Sequence, residues 1–307
     1  MSMKALQDKV ILVTGAGRGV GREIALCAAR NGAKVVVNDL GASLTGEGID
    51  ASPACEVVDL ILAEGGEAII NGDSVAEADG ALAMVEAAMT SFGRIDAAVH
   101  SAGILRDAIF HRMTPADFEA VLRVHLFGAF NIAHACAPHF KAQEGGAFVN
   151  MTSTSGLIGS FGQANYAAAK MGIVGLSRAI SFDMARFNVR SNCIAPHAFS
   201  RMIEAVPGKS PEEQAIEMEK RRTRTRADQI APLAAFLCSD AAKGITGQIF
   251  GARGNEIYLY SQPRPIRTMH REDGWTLERL AERLPGAWAS AFTPAERTKD
   301  VLNWEPI

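Results

Sequence analysis

Several features are missing from this 307-residue chain, and each absence removes a class of function. Its five cysteines, Cys27, Cys55, Cys136, Cys193 and Cys238, show no Cys-x-x-Cys spacing. A disulfide framework or zinc site is therefore not expected, and the thiols read as reduced core residues; no metal is expected. No apolar run approaches 18 residues, and the first apolar segment is bracketed by charges. Neither a membrane span nor a signal peptide is expected, and the chain reads as a cytoplasmic protein. A formal net charge of -3 gives no bulk electrostatic case for binding nucleic acid. No internal repeat or low-complexity tract stands out.

What is present is an alternation of apolar runs with helical segments, the pattern of a parallel sheet covered on both faces. The candidate strands are Val10–Val13, Lys34–Asn38, Ala68–Asn71, Ala97–His100, Ala147–Met151, Arg190–Ile194 and Gln248–Phe250. They predict an α/β fold, a single Rossmann-like doubly wound parallel sheet of about seven strands. Residues 1–255 would form this domain and residues 256–307 a C-terminal extension. Length alone would allow two domains, but single α/β domains reach this size.

The glycine turn Thr14-Gly-Ala-Gly-Arg-Gly-Val-Gly21 follows the run Val10–Val13 and opens a helix expected over Arg22–Arg30. That is the strand-turn-helix context of a dinucleotide fingerprint, in which Gly15, Gly19 and Gly21 let backbone approach a pyrophosphate at a helix N-terminus. Asp39 ends the next strand, where a carboxylate can hydrogen-bond adenosine ribose hydroxyls. Further along, Tyr166-Ala-Ala-Ala-Lys170 places a phenol and an ammonium on one helix face. A cation beside a phenol favours the phenolate and brings a group that titrates near pH 10 towards neutral working range. The ordinary alternatives are a glycine-rich loop and a solvated Tyr-Lys surface pair.

Taken in order, these motifs resemble the short-chain dehydrogenase/reductase family, whose glycine motif is Thr-Gly-x-x-x-Gly-x-Gly and whose catalytic Ser, Tyr and Lys include a Tyr-x-x-x-Lys spacing. Ser153, thirteen residues before Tyr166, matches the serine, with Ser155 the weaker candidate. The match continues through Asp73-Ser74, Ala102-Gly103 and Val189–Pro196, and covers about residues 7 to 255. The resemblance implies catalysis by Ser153, Tyr166 and Lys170, with His125 where most relatives carry a fourth catalytic residue, Asn. It implies a cofactor site of Gly15, Arg18, Gly19, Val20, Gly21, Asp39, Asp73, Ser74, Ser101, Ala102, Gly103, Tyr166, Lys170 and Pro196. Asp39 near the ribose 2′ position points to NAD, against Arg18, a residue often used by NADP-dependent relatives.

The segments Val37–Gly41, Ala102–Asp107, Arg123–Leu126, Phe161–Tyr166 and Ile194–Met202 are similar to the 3-hydroxyacyl-CoA dehydrogenase unit of peroxisomal multifunctional enzyme type 2 and its stand-alone bacterial relatives. Two departures stand out. His125 replaces the usual Asn, so the useful group there is expected to be its backbone carbonyl near Lys170. His100-Ser101 replaces two asparagines, which leaves side-chain support of the sheet and cofactor loop open.

Helix starts are expected at Thr114-Pro-Ala-Asp117, Ser210-Pro-Glu-Glu213 and Thr293-Pro-Ala-Glu296. The family's mobile substrate lid would span about 197–226. Its Met202, Ile203, Val206, Ile216 and Met218 suit a lipid-like substrate, and its basic cluster Lys220–Arg226 reads as solvated surface or as a coenzyme A phosphate contact. The loop Gly41–Pro53 is expected to be flexible. Ser261–Ile266 should be extended, a short helix should follow near Thr276–Arg283, and the tail reads as either an arm on a neighbouring subunit or a self-docked appendix. The expected activity is reversible hydride transfer between a secondary alcohol and NAD, on fatty-acyl or steroid side-chain CoA thioesters, by a homodimer or homotetramer. A hydroxysteroid or other secondary-alcohol dehydrogenase, and an inactive nucleotide-binding scaffold, are the alternatives.

Overall fold

A computed structural model describes residues 4–198 and 223–306 together with Ser210, Glu212 and Glu219. Most of the expected lid, including Met202, Ile203, Val206, Ile216 and Met218, lies outside the described residues, as do Lys220, Arg221 and Arg222.

Each expected strand forms within a residue or a few of its expected bounds. In chain order the strands are β1 (Val10–Thr14), β2 (Lys34–Asn38), β3 (Glu67–Asn71), β4 (Ala97–His100), β5 (Gly146–Met151), β6 (Val189–His197) and β7 (Ile249–Arg253). An eighth, β8 (Glu256–Leu259), completes a sheet of order β3-β2-β1-β4-β5-β6-β7-β8. All pairs are parallel except β7 with β8. The eighth strand adds to the seven expected, and it carries the core sheet past residue 255. Arg253 pairs with Glu256 across a tight turn in which Gly254 takes φ 58°. That left-handed conformation suits glycine and lets the chain reverse into a hairpin.

Strand β1 is buried along its whole length, as a central parallel strand covered on both faces must be. Its residues alternate between two cores. Ile11 and Val13 pack with α1 (Gly19–Arg30) and α2 (Ser52–Ala63), joined by Ile230 and α8 (Ala231–Cys238). Val10 and Leu12 pack on the other face with α3 (Ala78–Phe92) and α5 (Gly128–Gln143). The shorter α4 (Pro115–Leu122) runs into α5 through a five-residue π-helical turn, Arg123–Phe127. Together they make one helix, Pro115–Gln143, with the length and mean hydropathy (1.3) of a membrane span, half of whose apolar window is buried inside this fold. The four-residue α6 (Thr154–Leu157) and the long α7 (Ala164–Asp183) complete this side.

The start of α4 is as expected: the Thr114 hydroxyl accepts the Asp117 N–H at 3.1 Å. The start expected at Thr293 does not form. The last helix, α10 (Thr298–Val301), begins five residues later, because the Thr298 N–H is taken by the Gly159 carbonyl at 3.1 Å and Asp300 accepts the Arg297 N–H at 2.9 Å. The stretch 260–273 contains no helix, and α9 (Leu277–Trp288) follows with Thr276 as its cap. The tail docks on its own chain. The Trp304 indole donates to Glu256 at 2.7 Å, the Arg253 guanidinium donates to the Trp304 carbonyl and lies 5.5 Å from its ring centroid, and Arg297 faces the Phe161 ring.

Candidate active site

The chain order reverses at β1, which lies between β2 and β4, and a crevice opens at the carboxyl ends of these strands. A cleft of about 1150 Å³ occupies this place. Every site residue expected from the sequence lines it: Gly15, Arg18, Gly19, Val20, Gly21, Asp39, Asp73, Ser74, Ser101, Ala102, Gly103, His125, Ser153, Tyr166, Lys170 and Pro196.

At one end the glycine turn leads into α1, which starts at Gly19 rather than Arg22. A Cβ on Gly21 would overlap the Gly15 carbonyl, and one on Gly15, which has φ 63°, would lie 2.7 Å from Ala102 Cα. Only glycine permits this close approach of backbone, and the first N–H groups of α1 are thereby presented to the cleft. The Asp39 carboxylate accepts the Gly17 and Gly41 N–H groups, each at 2.7 Å. It therefore holds the glycine turn while facing the crevice. Arg18 has a carboxylate of its own, Asp50, at 3.8 Å. Asp73 is fixed by Asn71, whose amide donates to it at 2.7 Å, and Asn38 spans to the Asp73 carbonyl at 3.0 Å.

The loop Gly41–Pro53, expected to be flexible, is tied down over the cleft. Leu105 N–H donates to the Leu44 carbonyl at 2.9 Å and Arg106 to the Thr45 carbonyl at 3.1 Å, and Leu44 and Gly46 line the wall.

At the other end β5, α6 and α7 converge. Ser153 caps α6, its hydroxyl accepting the Ser155 N–H at 3.1 Å, and it is near enough to Tyr166 to draw the phenol pKa down. Ser155 is engaged elsewhere, donating to Gln163 at 2.8 Å, which leaves Ser153 as the serine facing the phenol. Lys170 is buried, donates to the Met151 carbonyl at 2.7 Å and lies 5.4 Å from the Tyr166 ring centroid. The one-face placement of the pair is therefore realised, but the expected lowering of the phenol is not. Burial pushes Tyr166 up to about 12, although Ser153 opposes this, and burial pushes Lys170 down to about 7. Each group loses more by leaving water than it gains from its neighbour.

The departures from the family pattern also find partners. The His100 imidazole lies 3.1 Å from the Thr14 hydroxyl and 3.0 Å from the His125 carbonyl. Thr14 also accepts the Ser101 and Ala102 N–H groups at 3.2 and 3.3 Å, so the side-chain support left open by the sequence comes from Thr14 and His100. His125 is buried in the π-helical turn with its ring edge-on to Tyr166 at 5.1 Å and Nε2 against the Ile104 N–H and carbonyl at 3.1 and 2.9 Å. Burial holds both imidazoles well below their ordinary pKa, His100 at about 3. Among the described residues no group of histidine, cysteine and carboxylate side chains could hold a metal ion.

Sequence reasoning passed over several lining residues. Gln163 donates to Asp107 at 2.8 Å, linking Ser155 to an exposed carboxyl whose pKa is raised by partial desolvation. Both stand in segments noted for resemblance, yet 56 positions separate them and no local pattern signals the bond. Thr298, from the tail, lines the cleft beside Ser160.

A family profile described as "Enoyl-(Acyl carrier protein) reductase" matches residues 15–254. The chain belongs to the short-chain dehydrogenase/reductase family. It is 45% identical over 238 residues to a short-chain type dehydrogenase/reductase of Mycobacterium tuberculosis, covering 78% of this chain and 80% of that protein. It is 42% identical over 235 residues to the peroxisomal multifunctional enzyme type 2 of Mus musculus, where the match covers 76% of this chain but only 30% of the relative. The crystal structure of a short chain dehydrogenase from Mycobacterium avium superposes with TM-score 0.82 at 33% identity, covering 94% of this chain and 98% of that one. The protein is thus a short-chain oxidoreductase with a nicotinamide-type dinucleotide site, on a single, mostly parallel sheet.

Proposed function

We propose that this short-chain dehydrogenase/reductase oxidises 3-hydroxyacyl thioesters, or reduces the matching ketones, with NAD as cofactor. The observation that carries this reading is the convergence of Ser153, Tyr166 and Lys170 at one end of a cleft whose other end presents the glycine turn and Asp39. The residues fit a dinucleotide: Gly15 and Gly21 let the turn pack on its own backbone and on Ala102, and at Gly19, which lines the cleft, a Cβ would meet no protein atom within 4 Å. Asp39 would take the adenosine ribose hydroxyls and repel a 2′-phosphate. Bound NAD supplies the hydride acceptor.

In the oxidative direction the Ser153 hydroxyl donates to the substrate oxygen and holds it beside Tyr166. Tyr166 takes the hydroxyl proton as the carbinol carbon gives up hydride, leaving a ketone and a protonated phenol. Lys170, when charged, stabilises the phenolate, and it would also hold the nicotinamide ribose of a bound cofactor. The thioester class is supported by likeness to a multifunctional peroxisomal enzyme and to a profile named for an acyl-carrier-protein reductase. Apolar wall residues, Leu44, Ile104 and Leu105 among them, suit an acyl chain. A homodimer or homotetramer is supported by Phe127, Phe130 and Phe182, which leave large apolar side chains exposed on the α4–α5 helix and α7. Light scattering measures that state directly.

The test is NADH absorbance with a 3-hydroxyacyl-CoA, its free acid and a hydroxysteroid side by side, each with NAD and NADP. The thioester with NAD should give the highest kcat/KM. A higher value for the steroid or another secondary alcohol would replace the substrate class. No turnover with any alcohol would leave a nucleotide-binding scaffold.

A further inference from the structure

The hydrogen-bond partners of Thr14 fix the tautomer of His100. The Thr14 hydroxyl accepts two backbone N–H groups, from Ser101 and Ala102, so its own proton goes to His100 Nδ1. The imidazole proton is then on Nε2 and is donated to the His125 carbonyl at 3.0 Å. That carbonyl belongs to the π-helical turn, where the backbone ladder is out of α register. The Gly128 N–H also donates to it, so His100 adds a second donor that fixes this carbonyl to β4 from outside the helix.

The ring of His125 is wedged in turn. A Cβ on Gly103 would overlap it, Ile104 faces its Nε2, and its edge meets the Tyr166 ring at 5.1 Å and 90°. A continuous path of contacts therefore runs from Thr14, at the entry to the dinucleotide turn, through His100 and His125 to Tyr166.

We propose that His100 is a positioning residue for the acid–base centre: by holding the His125 carbonyl it seats the imidazole that buttresses Tyr166, and it ties that seat to the strand carrying the dinucleotide turn. The assignment rests on the hydride-transfer reading above. Charged or titratable neighbours of this path are Lys170, whose field reaches both imidazoles, Cys193 beside Lys170, and Asp107, whose field reaches Tyr166. Without the His100 donor the π-helical turn can relax towards α register and withdraw the His125 ring. Tyr166 then gains freedom to move from Lys170, and its phenol becomes harder to ionise.

The test compares wild type, His100→Leu and His100→Asn for kcat, KM and the pH profile of kcat, with whichever secondary alcohol the enzyme turns over, and checks folding by circular dichroism. His100→Leu should lower kcat by about tenfold or more, change KM by less than about threefold, and move the acid limb of the profile to higher pH. His100→Asn, whose shorter amide reaches only one partner, should move kcat and the limb the same way by less. If His100→Leu does not fold, His100→Asn decides. A folded variant that is less stable but keeps wild-type kcat and an unmoved acid limb would make His100 purely structural and overturn the proposal alone. A wild type inactive on every alcohol would remove the hydride-transfer reading and this proposal together.

Discussion

The Lys170 ammonium nitrogen lies 5.4 Å from the centroid of the Tyr166 ring and is held there by a 2.7 Å hydrogen bond to the Met151 carbonyl. The two side chains sit one helical turn apart on α7, Lys170 buried and Tyr166 partly buried, so their chemistry is governed as much by desolvation as by each other.

Tyr166 faces Ser153 in the cleft and is the acid–base group of the proposed mechanism. Tyr166→Phe keeps the ring against His125 and removes the proton carrier. Turnover should fall by at least about 100-fold with melting temperature preserved. Near-normal turnover would take Tyr166 out of the mechanism.

Lys170 makes stability depend on pH. Its folded pKa, about 7, is below the ordinary 10.5. Between these values the unfolded chain binds more protons, so stability should rise with pH from about 7 upward. Above pH 9 the buried thiols oppose this, since Cys193 and Cys238 are raised to about 11 and about 12 and keep protons that the unfolded chain loses. Urea midpoints of the cofactor-free protein between pH 7 and 9 should therefore climb in wild type and flatten in Lys170→Met. Equal slopes would mean that Lys170 is charged as usual in the folded protein.

Asp39 holds the glycine turn and, in the proposed reading, also selects NAD, and one substitution separates the two. Asp39→Ser relieves repulsion of a 2′-phosphate, so the ratio of NAD to NADP efficiency should fall. It also removes an acceptor from the Gly17 or Gly41 N–H, which should cost about 1 kcal/mol of stability. Lost stability with an unchanged ratio would place cofactor discrimination elsewhere, with Arg18 and its partner Asp50 next to be tested.

His125 offers its carbonyl to His100 and its ring to Ile104 and Tyr166. His125→Asn keeps the carbonyl and the residue type of most relatives, and substantial activity should remain. A loss of about 100-fold, with the fold intact and a limb near pH 6.5 gone from the rate profile, would instead make the imidazole an acid–base group.

Trp304 latches the tail through Glu256 and Arg253. Trp304→Ala should cost about 1 kcal/mol and speed hydrogen exchange at the Thr298 amide, which the Gly159 carbonyl accepts. Unchanged exchange would show that Thr298 is seated without the latch.

The sequence by itself determined the sheet and the chemistry-bearing motifs, because both are written in short-range patterns. Continuous apolar runs such as Val10–Val13 mark buried parallel strands, and the glycine turn and the Tyr166–Lys170 spacing are read within eight residues. Sixteen expected site residues, from Gly15 to Pro196, consequently fall in one cleft. Only the tertiary structure decided what depends on distant partners. The antiparallel β8 follows from pairing with β7, the start of α10 from the Gly159 carbonyl, and the Asp107–Gln163 bond from two loops meeting. The pKa of Tyr166 belongs to the same class: the sequence supplies its cation four residues away, but the depth at which the fold buries both groups sets the balance between attraction and desolvation. His100 shows the division most plainly, since as a letter it was only an exception to a motif, and its meaning came from Thr14, 86 positions before it, and His125, 25 positions after it.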